Sequence, residues 1–302
     1  MSSLVGKYLK WAFGGTTIVD TLDGTDRGAN DFGTVASGRF DDPSSDGRYL
    51  GDAVRIIDNA RGGNDTMLGT SGNDNILGDS AFMDGSARGG NDIIFGMGGG
   101  GTLTGDALVM GGNARGGNDQ IYAGNHEDSN VVIQGDGGFA AATVKGGNDV
   151  IVDGAGSSLI YGDFQSGGQG GNDKIWGGGG SDTIYGGGGN DRIDGGSGVD
   201  ILRGGDGNDV FVVRPGTELD FIEDFTHGED RLNLSATGVS FSELDTDGNG
   251  TINAADDFTA ISGTGSNTAL TVDIDAAAGL SAQTNLFLTG VQQLTAGDLI
   301  LG

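Results

Sequence analysis

Three features of the sequence predict an all-β fold, a parallel β-roll or β-solenoid. Glycine accounts for 65 of the 302 residues and proline for only 2, whereas glycine averages about 7% of soluble proteins. Apolar residues make up 35% of the chain, which is too few for one large globular core. The third feature is a nine-residue period, which a flexible glycine-rich linker has no reason to keep. A stack of short strands around a thin apolar interior satisfies all three.

The period is clearest between residues 168 and 212, where five nonapeptides follow one another. They read GQGGNDKIW, GGGGSDTIY, GGGGNDRID, GGSGVDILR and GGDGNDVFV. The sixth residue is always aspartate, and the eighth is always apolar and points inward from a three-residue strand. Because two nonapeptides complete one coil, turns on the same side should recur every 18 residues. We therefore expect Asp173, Asp191 and Asp209 along one edge, and Asp182 and Asp200 along the other.

The turns between these strands are candidate calcium sites. Their glycines let carbonyl oxygens converge and their aspartate adds a charged oxygen, and Ca²⁺ prefers such oxygen ligands. The pattern matches the G-G-x-G-x-D-x-U-x repeat of Ca²⁺-binding β-helices. The formal charge of −28 agrees, since two carboxylates about 5 Å apart repel by roughly 3 kcal/mol at an effective dielectric constant near 20. We predict multiple Ca²⁺ ions, each joining one coil to the next.

Residues 50–167 contain an expanded form of the repeat. The phrase Gly-Gly-Asn-Asp recurs, at first every 27 residues, and an apolar-x-Gly-Asp phrase recurs with it. We interpret each unit as one coil with two short strands, a tight turn on one side and a long turn carrying both phrases on the other. An open alternative is that some of these aspartates only accept hydrogen bonds from turn amides. The candidate ligands are Asp65, Asp92, Asp119 and Asp149 of the first phrase, Asp52, Asp79, Asp106, Asp136 and Asp163 of the second, and Asp74, which fits the nonapeptide pattern.

Two further features accompany the coils. Arg61, Arg88 and Arg115 each precede a Gly-Gly-Asn-Asp phrase, and we expect either a stacked ladder that offsets neighbouring aspartates or a solvated face. Residues 1–49 show no clear repeat, and we expect them to cap the first coil.

Residues 213–302 lose the glycine repeats and alternate apolar and polar residues, which predicts a β-rich cap. With the nonapeptides, stretches such as DFIEDF (220–225) and GEDRLNL (228–234) resemble the RTX, or haemolysin-type calcium-binding, family, in particular the segment after the β-roll of serralysin-type proteases. The resemblance implies export by type I secretion machinery through an uncleaved C-terminal signal, which the final Asp298-Leu-Ile-Leu-Gly fits. It also implies a protein that is unfolded at cytosolic calcium and folds outside the cell.

A second calcium motif lies between Asp245 and Asp256. It resembles an EF-hand loop, with oxygen-bearing side chains at alternate positions and glycine at the sixth. Aspartate replaces the usual glutamate at position 12, and no strong helix precedes the loop, so an Asp-rich turn is the alternative. The candidate ligands are Asp245, Asp247, Asn249, Thr251 and Asp256.

The sequence predicts no catalytic site. It contains no cysteine, its two histidines lie outside any HExxH motif, and it has no G-x-S-x-G elbow. We expect a secreted, non-enzymatic component of a matrix, surface layer or adhesin that associates with itself or with cell-surface polysaccharide. The alternative is a secreted polysaccharide-modifying enzyme or toxin-like factor built on a β-solenoid. The acidic charge argues against nucleic acid partners, and no stretch reaches the 18 apolar residues of a membrane span or resembles an N-terminal signal peptide.

Overall fold

The computed structural model describes residues 8–9, 18–22, 32–34, 47–125, 131–215, 219–262, 268–279 and 285–302. The chain divides into two compact units, residues 1–174 and 175–302. Regular structure consists of short strands and two four-residue helices, which confirms the all-β prediction. Among the described residues, no helix is long and apolar enough to cross a membrane. His126 lies outside the described residues.

In the part of the first unit that the structure describes there are seventeen short strands. They are β1 Tyr8–Leu9, β2 Ile18–Leu22, β3 Phe32–Thr34, β4 Gly47–Leu50, β5 Ala53–Ile56, β6 Thr66–Leu68, β7 Asp74–Leu77, β8 Ser80–Met83, β9 Ile93–Phe95, β10 Gly101–Thr104, β11 Ala107–Met110, β12 Gln120–Gly124, β13 Val131–Gln134, β14 Gly137–Ala140, β15 Val150–Asp153, β16 Ser158–Tyr161 and β17 Phe164–Ser166. A further strand, β18 Lys174–Trp176, contains the last residue of the first unit and the first residues of the second.

These strands form three parallel sheets, because each strand pairs with its equivalent one coil later. The sheet orders are β2-β5-β8-β11-β14-β17, β4-β7-β10-β13-β16 and β3-β6-β9-β12-β15, with β1 antiparallel on β2. The register places Thr66 beside Ile93 and Gln120 beside Ile93, which confirms the 27-residue coil. From β12 to β15 the step lengthens, so that Gln120 pairs with Val150.

Each coil has three strands, so the prediction of two was wrong. The additional strand, represented by β8 and β11, lies between the two aspartate phrases, where we expected only a long turn. The sequence of this strand did not predict it, because the buried residues are the first and the last of the strand. In β11, Ala107 and Met110 are buried and Leu108 is exposed, so the period-2 alternation of an ordinary strand is missing.

The core of the first unit is a set of buried apolar side chains that stack from one coil to the next. Ile94, Ile121 and Ile151 are fully buried in register in one sheet. Met83 and Met110 stack in the same way on the side of the additional strands. Full burial of such a side chain contributes about 1.5–3 kcal/mol, which holds the interior of each coil together.

The second unit continues with shorter coils. Its strands are β19 Thr183–Gly188, β20 Arg192–Asp194, β21 Ile201–Asp206, β22 Val210–Val212, β23 Asp220–Ile222, β24 Arg231–Asn233, β25 Thr259–Ser262, β26 Ala269–Asp273, β27 Asn285–Thr289 and β28 Leu299–Ile300; its helices are α1 Phe241–Leu244 and α2 Ile274–Ala277, with a 3₁₀ turn at Ala296–Asp298. One sheet has the order β19-β21-β23-β27-β26-β25 and the other β20-β22-β24-β28.

The register of the second unit confirms that two nonapeptides make one coil. Thr183 pairs with Ile201 and Arg192 with Val210, both 18 residues apart. Gly187, near the end of β19, has a φ of 116°, a conformation that L side chains rarely adopt. Beyond residue 212, β23 and β24 add to the same sheets without glycine turns, and β25 to β27 pair antiparallel.

Candidate metal centre

The Gly-Gly-Asn-Asp aspartates of the first unit form one column, here called the GGND column. The backbone N–H of each aspartate donates to the Oδ1 atom of the next one, at 2.7 Å from Asp92 to Asp119 and 2.8 Å from Asp149 to Asp173. The column consists of Asp65, Asp92, Asp119, Asp149 and Asp173, all of them buried. The fold thus brings together side chains that are 24 to 30 residues apart.

The Gly-Asp aspartates form a second column, here called the GD column. Their carboxylates accept hydrogen bonds from the second glycine of the Gly-Gly-Asn-Asp phrase in the same coil. Gly63 N–H donates to Asp52 Oδ2 at 2.6 Å, and Gly90 N–H lies 3.0 Å from both oxygens of Asp79. The column consists of Asp52, Asp79, Asp106, Asp136 and Asp163, all buried. Backbone N–H groups of the turns therefore donate to these carboxylates, which is the alternative that the sequence left open.

The second oxygen of the GGND aspartates has the properties of a metal ligand. The Oδ2 atoms of Asp92, Asp119 and Asp149 are buried and have no hydrogen-bond partner among the described residues. A buried carboxylate oxygen without a donor or cation is strongly unfavourable. Since a carboxylate oxygen is a hard ligand, a bound Ca²⁺ would be a suitable partner for each of these oxygens.

A glycine lies beside each of these oxygens and leaves space that a side chain would fill. A Cβ atom on Gly105 would lie 2.0 Å from Asp119 Oδ2 and 1.9 Å from the carbonyl oxygen of Gly135. On Gly78 it would lie 2.1 Å from Asp92 Oδ2. A carboxylate oxygen and a carbonyl oxygen of the next coil therefore converge beside each glycine, and this donor set fits a calcium ion.

The pKa values of aspartates in both columns are raised, as expected for carboxylates that need a cation to stay charged. Burial raises the pKa of Asp119 to about 8. Burial, followed by the charge of Asp52, raises the pKa of Asp79 well above its usual range. Burial is the main reason that the pKa of Asp92 lies well above its usual range, and the negative charges of Asp79 and Asp119 raise it further. Among the described residues, the ion pairs are formed by Arg203, Arg214 and His227, and none of them involves Asp79, Asp92, Asp106, Asp119, Asp136 or Asp149.

The second unit repeats the arrangement along two edges, as the 18-residue spacing predicted. Asp182 N–H donates to Asp200 Oδ1 at 2.9 Å, and Asp191 N–H donates to Asp209 Oδ1 at 2.8 Å. The Oδ2 atoms of Asp200 and Asp209 are buried without a partner. Burial, the largest cause, raises the pKa of each to about 6.

Both edges continue past the glycine repeats through aspartates that the sequence analysis missed. Asp200 N–H donates to Asp220 Oδ1 at 3.2 Å, and Asp209 N–H donates to Asp230 Oδ1 at 2.9 Å. Burial and then the charge of Asp200 raise the pKa of Asp220 to about 8. The available signal was the tripeptide Asp-x-apolar, which recurs at Asp220-Phe-Ile and Asp230-Arg-Leu without the glycines.

Asp74 lies apart from both columns. Its Oδ2 atom accepts hydrogen bonds from the Thr70 backbone N–H at 2.6 Å and the Thr70 hydroxyl at 2.9 Å. In register, its neighbours are Gly47 and Gly101. The nonapeptide pattern grouped Asp74 with the other candidate ligands, but the equivalent positions of adjacent coils hold no aspartate.

The loop from Asp245 to Asp256 brings three of its five candidate ligands together. Carboxylate oxygens of Asp245, Asp247 and Asp256 lie within 4.8 Å of one another. Asn249 Nδ2 donates to Asp247 Oδ2 at 2.8 Å, and Thr251 N–H donates to Asn249 Oδ1 at 2.8 Å. Only the four-residue helix α1 precedes the loop, so the loop is EF-hand-like without the usual long first helix.

Comparison with known families identifies the repeats. The model of the RTX calcium-binding nonapeptide repeat matches residues 59–81, 113–129, 145–165, 167–202 and 185–216. The chain contains RTX calcium-binding nonapeptide repeats. Calcium is accordingly its cofactor, as the sequence predicted. The RTX matches include both the regular nonapeptides and parts of the 27-residue coils, and they end before most of the predicted β-rich cap.

The solved structures that are similar to parts of this chain include two repeat subunits of one enzyme. One is the AlgE6R2 subunit of the mannuronan C5-epimerase of Azotobacter vinelandii, 29% identical, covering 50% of this chain and 91% of that chain with a TM-score of 0.33. The other is the AlgE6R3 subunit of the same enzyme, 24% identical, covering 51% and 80% with a TM-score of 0.19. With such TM-scores the fold assignment rests on the strand register alone. No curated protein is significantly similar in sequence.

Proposed function

We propose that this RTX protein is a secreted, non-enzymatic calcium-binding protein that folds outside the cell and serves as a structural component of a matrix, surface layer or adhesin. The observation that carries the proposal is the pair of buried aspartate columns. Each coil of the first unit buries one GGND and one GD aspartate, and none of the ion pairs among the described residues involves Asp79, Asp92, Asp106, Asp119, Asp136 or Asp149.

Calcium controls folding under this proposal. Without a cation, each added coil brings further buried carboxylates beside those of the preceding coil, and their desolvation and repulsion oppose folding. The unfolded chain keeps the same carboxylates in water. Because Ca²⁺ binds the stacked coils and not the extended chain, its binding free energy becomes folding free energy.

The same dependence supports export. RTX repeats are typical of extracellular proteins, and a chain that stays unfolded at low calcium suits passage through type I secretion machinery. Folding then follows on the calcium-rich side. We therefore propose an extracellular or cell-surface location, with self-association as the route by which a calcium-stabilised protein forms a layer or matrix.

The proposal assigns no reaction to the chain. The sequence has no cysteine nucleophile, HExxH motif or G-x-S-x-G elbow. His227, the histidine that the structure describes, is about half exposed, and its Nδ1 atom lies 2.8 Å from Asp298 Oδ2. Since Asp298 also accepts the N–H of Gly228 at 2.9 Å, we assign this pair to holding the C-terminal turn.

Far-ultraviolet circular dichroism during a calcium titration tests the proposal. We expect a mostly unfolded chain in chelator and β structure at millimolar calcium, with Mg²⁺ at the same concentration as the control ion. A chain that keeps its β structure in excess chelator would overturn the role of calcium in folding. Sedimentation of the calcium-loaded protein then tests self-association, and calcium-dependent turnover of a uronate polymer would favour the polysaccharide-modifying alternative.

A further inference from the structure

A column of basic side chains runs along the first unit, here called the basic ladder. It consists of Arg61, Arg88, Arg115 and Lys145. Parallel bridges join Arg61 to Arg88, Arg88 to Arg115, and Arg115 to Lys145, and a last bridge joins Lys145 to Gln169. The structure therefore confirms the stacking expected of the three arginines, and Lys145 extends it to four consecutive coils.

The backbone holds every member of the basic ladder in place. Arg115 N–H donates to the Ala87 carbonyl at 3.0 Å, and the Arg115 carbonyl accepts the N–H of Gly89 at 2.8 Å. Arg88 and Lys145 make equivalent bonds. The residue before each cation is fully buried: Ala60, Ala87, Ala114 and Val144. The spacing of the cations thus follows the strand spacing, about 4.8 Å.

Among the residues that the structure describes, no carboxylate forms an ion pair with the basic ladder. All four side chains are exposed, and none takes part in the ion pairs found among the described residues. The ladder does not neutralise the aspartate columns, in contrast to one expectation from the sequence. Four stacked like charges on a protein of net charge −28 form a local site for an anion that extends over several coils.

An exposed row of amides accompanies the cations. Asn64, Asn91, Asn118, Asn148 and Asn172 follow the Gly-Gly pairs, and each asparagine Oδ1 accepts the backbone N–H of the next asparagine, at 2.9 Å for Asn91 and 2.7 Å for Asn118. These residues are exposed like the cations. Amide groups are suitable hydrogen-bond partners for neutral polar groups such as hydroxyls.

We propose that the basic ladder binds an acidic polysaccharide, a linear polymer of uronic acid units, laid along the axis on which the coils stack. Each coil contributes one cation for a carboxylate of the polymer and one asparagine near it in sequence for the sugar hydroxyls. The rigid register of the ladder lowers the entropy cost of binding. The inference deepens the proposed matrix or adhesin function by naming its partner, and it rests on calcium-driven folding because only stacked coils align the four cations.

The charge density of the partner favours a polysaccharide over a nucleic acid. Duplex DNA carries one negative charge per about 1.7 Å of its axis, several for every cation of the ladder. The excess negative charge would face a chain whose formal net charge is already −28. A uronate polymer carries one charge per sugar ring, so its charge density is closer to one carboxylate per coil.

Binding of polygalacturonate and polymannuronate to the full calcium-loaded chain tests the ladder, with neutral dextran and single- and double-stranded DNA as comparison ligands. The key variant is Arg88→Gln/Arg115→Gln. Its control is Lys174→Gln/Arg231→Gln, which removes the same charge from exposed positions outside the ladder. We expect the ladder variant to lose at least about tenfold in affinity and the control to change by less than about twofold, with binding weakened by salt.

Circular dichroism of each variant in calcium separates this inference from the proposed function. A folded, calcium-dependent protein that binds neither uronate polymer overturns the polysaccharide site and leaves the proposed role of calcium in folding intact. Equal losses in the two double variants would show non-specific attraction and overturn the ladder as the site. DNA binding as tight as uronate binding would overturn the choice of partner. A ladder variant that is unfolded is replaced by Arg88→Lys/Arg115→Lys, which keeps the charges and should retain binding.

Discussion

The backbone N–H of Asp92 donates to Oδ1 of Asp119, the equivalent aspartate of the next coil, over 2.7 Å. One carboxylate oxygen of Asp119 therefore joins two coils directly. The other oxygen is buried without a partner beside Gly105. Asp92, Asp119 and Asp149 divide their oxygens in this way, so each joins two coils through one oxygen and offers the other to the calcium ion that we propose.

Asp119→Asn separates these two roles. Asparagine keeps an oxygen that accepts the Asp92 N–H, but it removes the negative charge offered to calcium. We expect the calcium concentration at the folding midpoint to rise roughly tenfold, about 1.4 kcal/mol, as measured by circular dichroism. Asp58→Asn is the control, since Asp58 lies exposed in a turn of the same unit and its φ of 61° is tolerated by asparagine. Equal midpoints for the wild type and Asp119→Asn would contradict the assignment of Asp119.

The metal-free chain should gain structure as the pH falls. Burial raises the pKa of Asp119 from 3.8 to about 8 in the folded chain, and burial followed by the charge of Asp200 raises that of Asp220 to about 8. The folded state thus binds more protons than the unfolded state between these values. The stability that these bound protons contribute to the folded state is fully present below about pH 4 and is lost as the pH rises towards about 8.

Circular dichroism of calcium-free protein at pH 4 and pH 8 measures this effect. Because bound protons already stabilise the folded state, the calcium needed for folding at pH 5 should be lower than that at pH 8, although protons and calcium compete for the same carboxylates. A metal-free chain with more β structure at pH 8 than at pH 4 would show that the buried aspartates do not control folding.

Gly105→Ala should strongly destabilise the first unit. The added Cβ atom would lie 1.9 Å from the Gly135 carbonyl oxygen and 2.0 Å from Asp119 Oδ2, so two coils must separate or the metal ligand must turn away. We expect a loss of about 3 kcal/mol or more, beyond ordinary overpacking, measured by urea unfolding in calcium. Gly297→Ala is the control, because its Cβ would meet only Thr295 Oγ1 at 3.6 Å. Similar midpoints for the two variants would exclude the close approach at Gly105.

Asp245→Asn should remove one calcium ion from the stoichiometry of the chain. Asp245 accepts the N–H groups of Asn249 at 3.1 Å and Gly250 at 2.9 Å, and these bonds survive in part with an amide oxygen, whereas the charge is lost. Isothermal titration calorimetry should therefore report one site fewer or one weakened site. Asp257→Asn, at an exposed position next to the loop, should keep every site. The loop is only an Asp-rich turn if Asp245→Asn binds as many ions as the wild type.

The sequence by itself determined the coil period, because one apolar residue and one aspartate per repeat reflect side chains that stack in register. Ile184 and Leu202 pair 18 residues apart in the structure, and Asp182 and Asp200 follow the same step. The ladder of Arg61, Arg88 and Arg115 was predictable for the same reason: parallel stacking converts a sequence period into a spatial column.

Only the tertiary structure decided which side chains leave or join those columns. The third strand of each coil escaped prediction because Ser80 and Met83 are buried at its ends, without the alternation that marks a strand. Asp74 matches the repeat motif, yet Gly101 occupies the equivalent position one coil later. Asp220 and Asp230 lack the glycine motif, yet they accept the N–H groups of Asp200 and Asp209. A ligand column depends on which coil lies next to which, and that contact is set by packing between coils rather than by any single repeat.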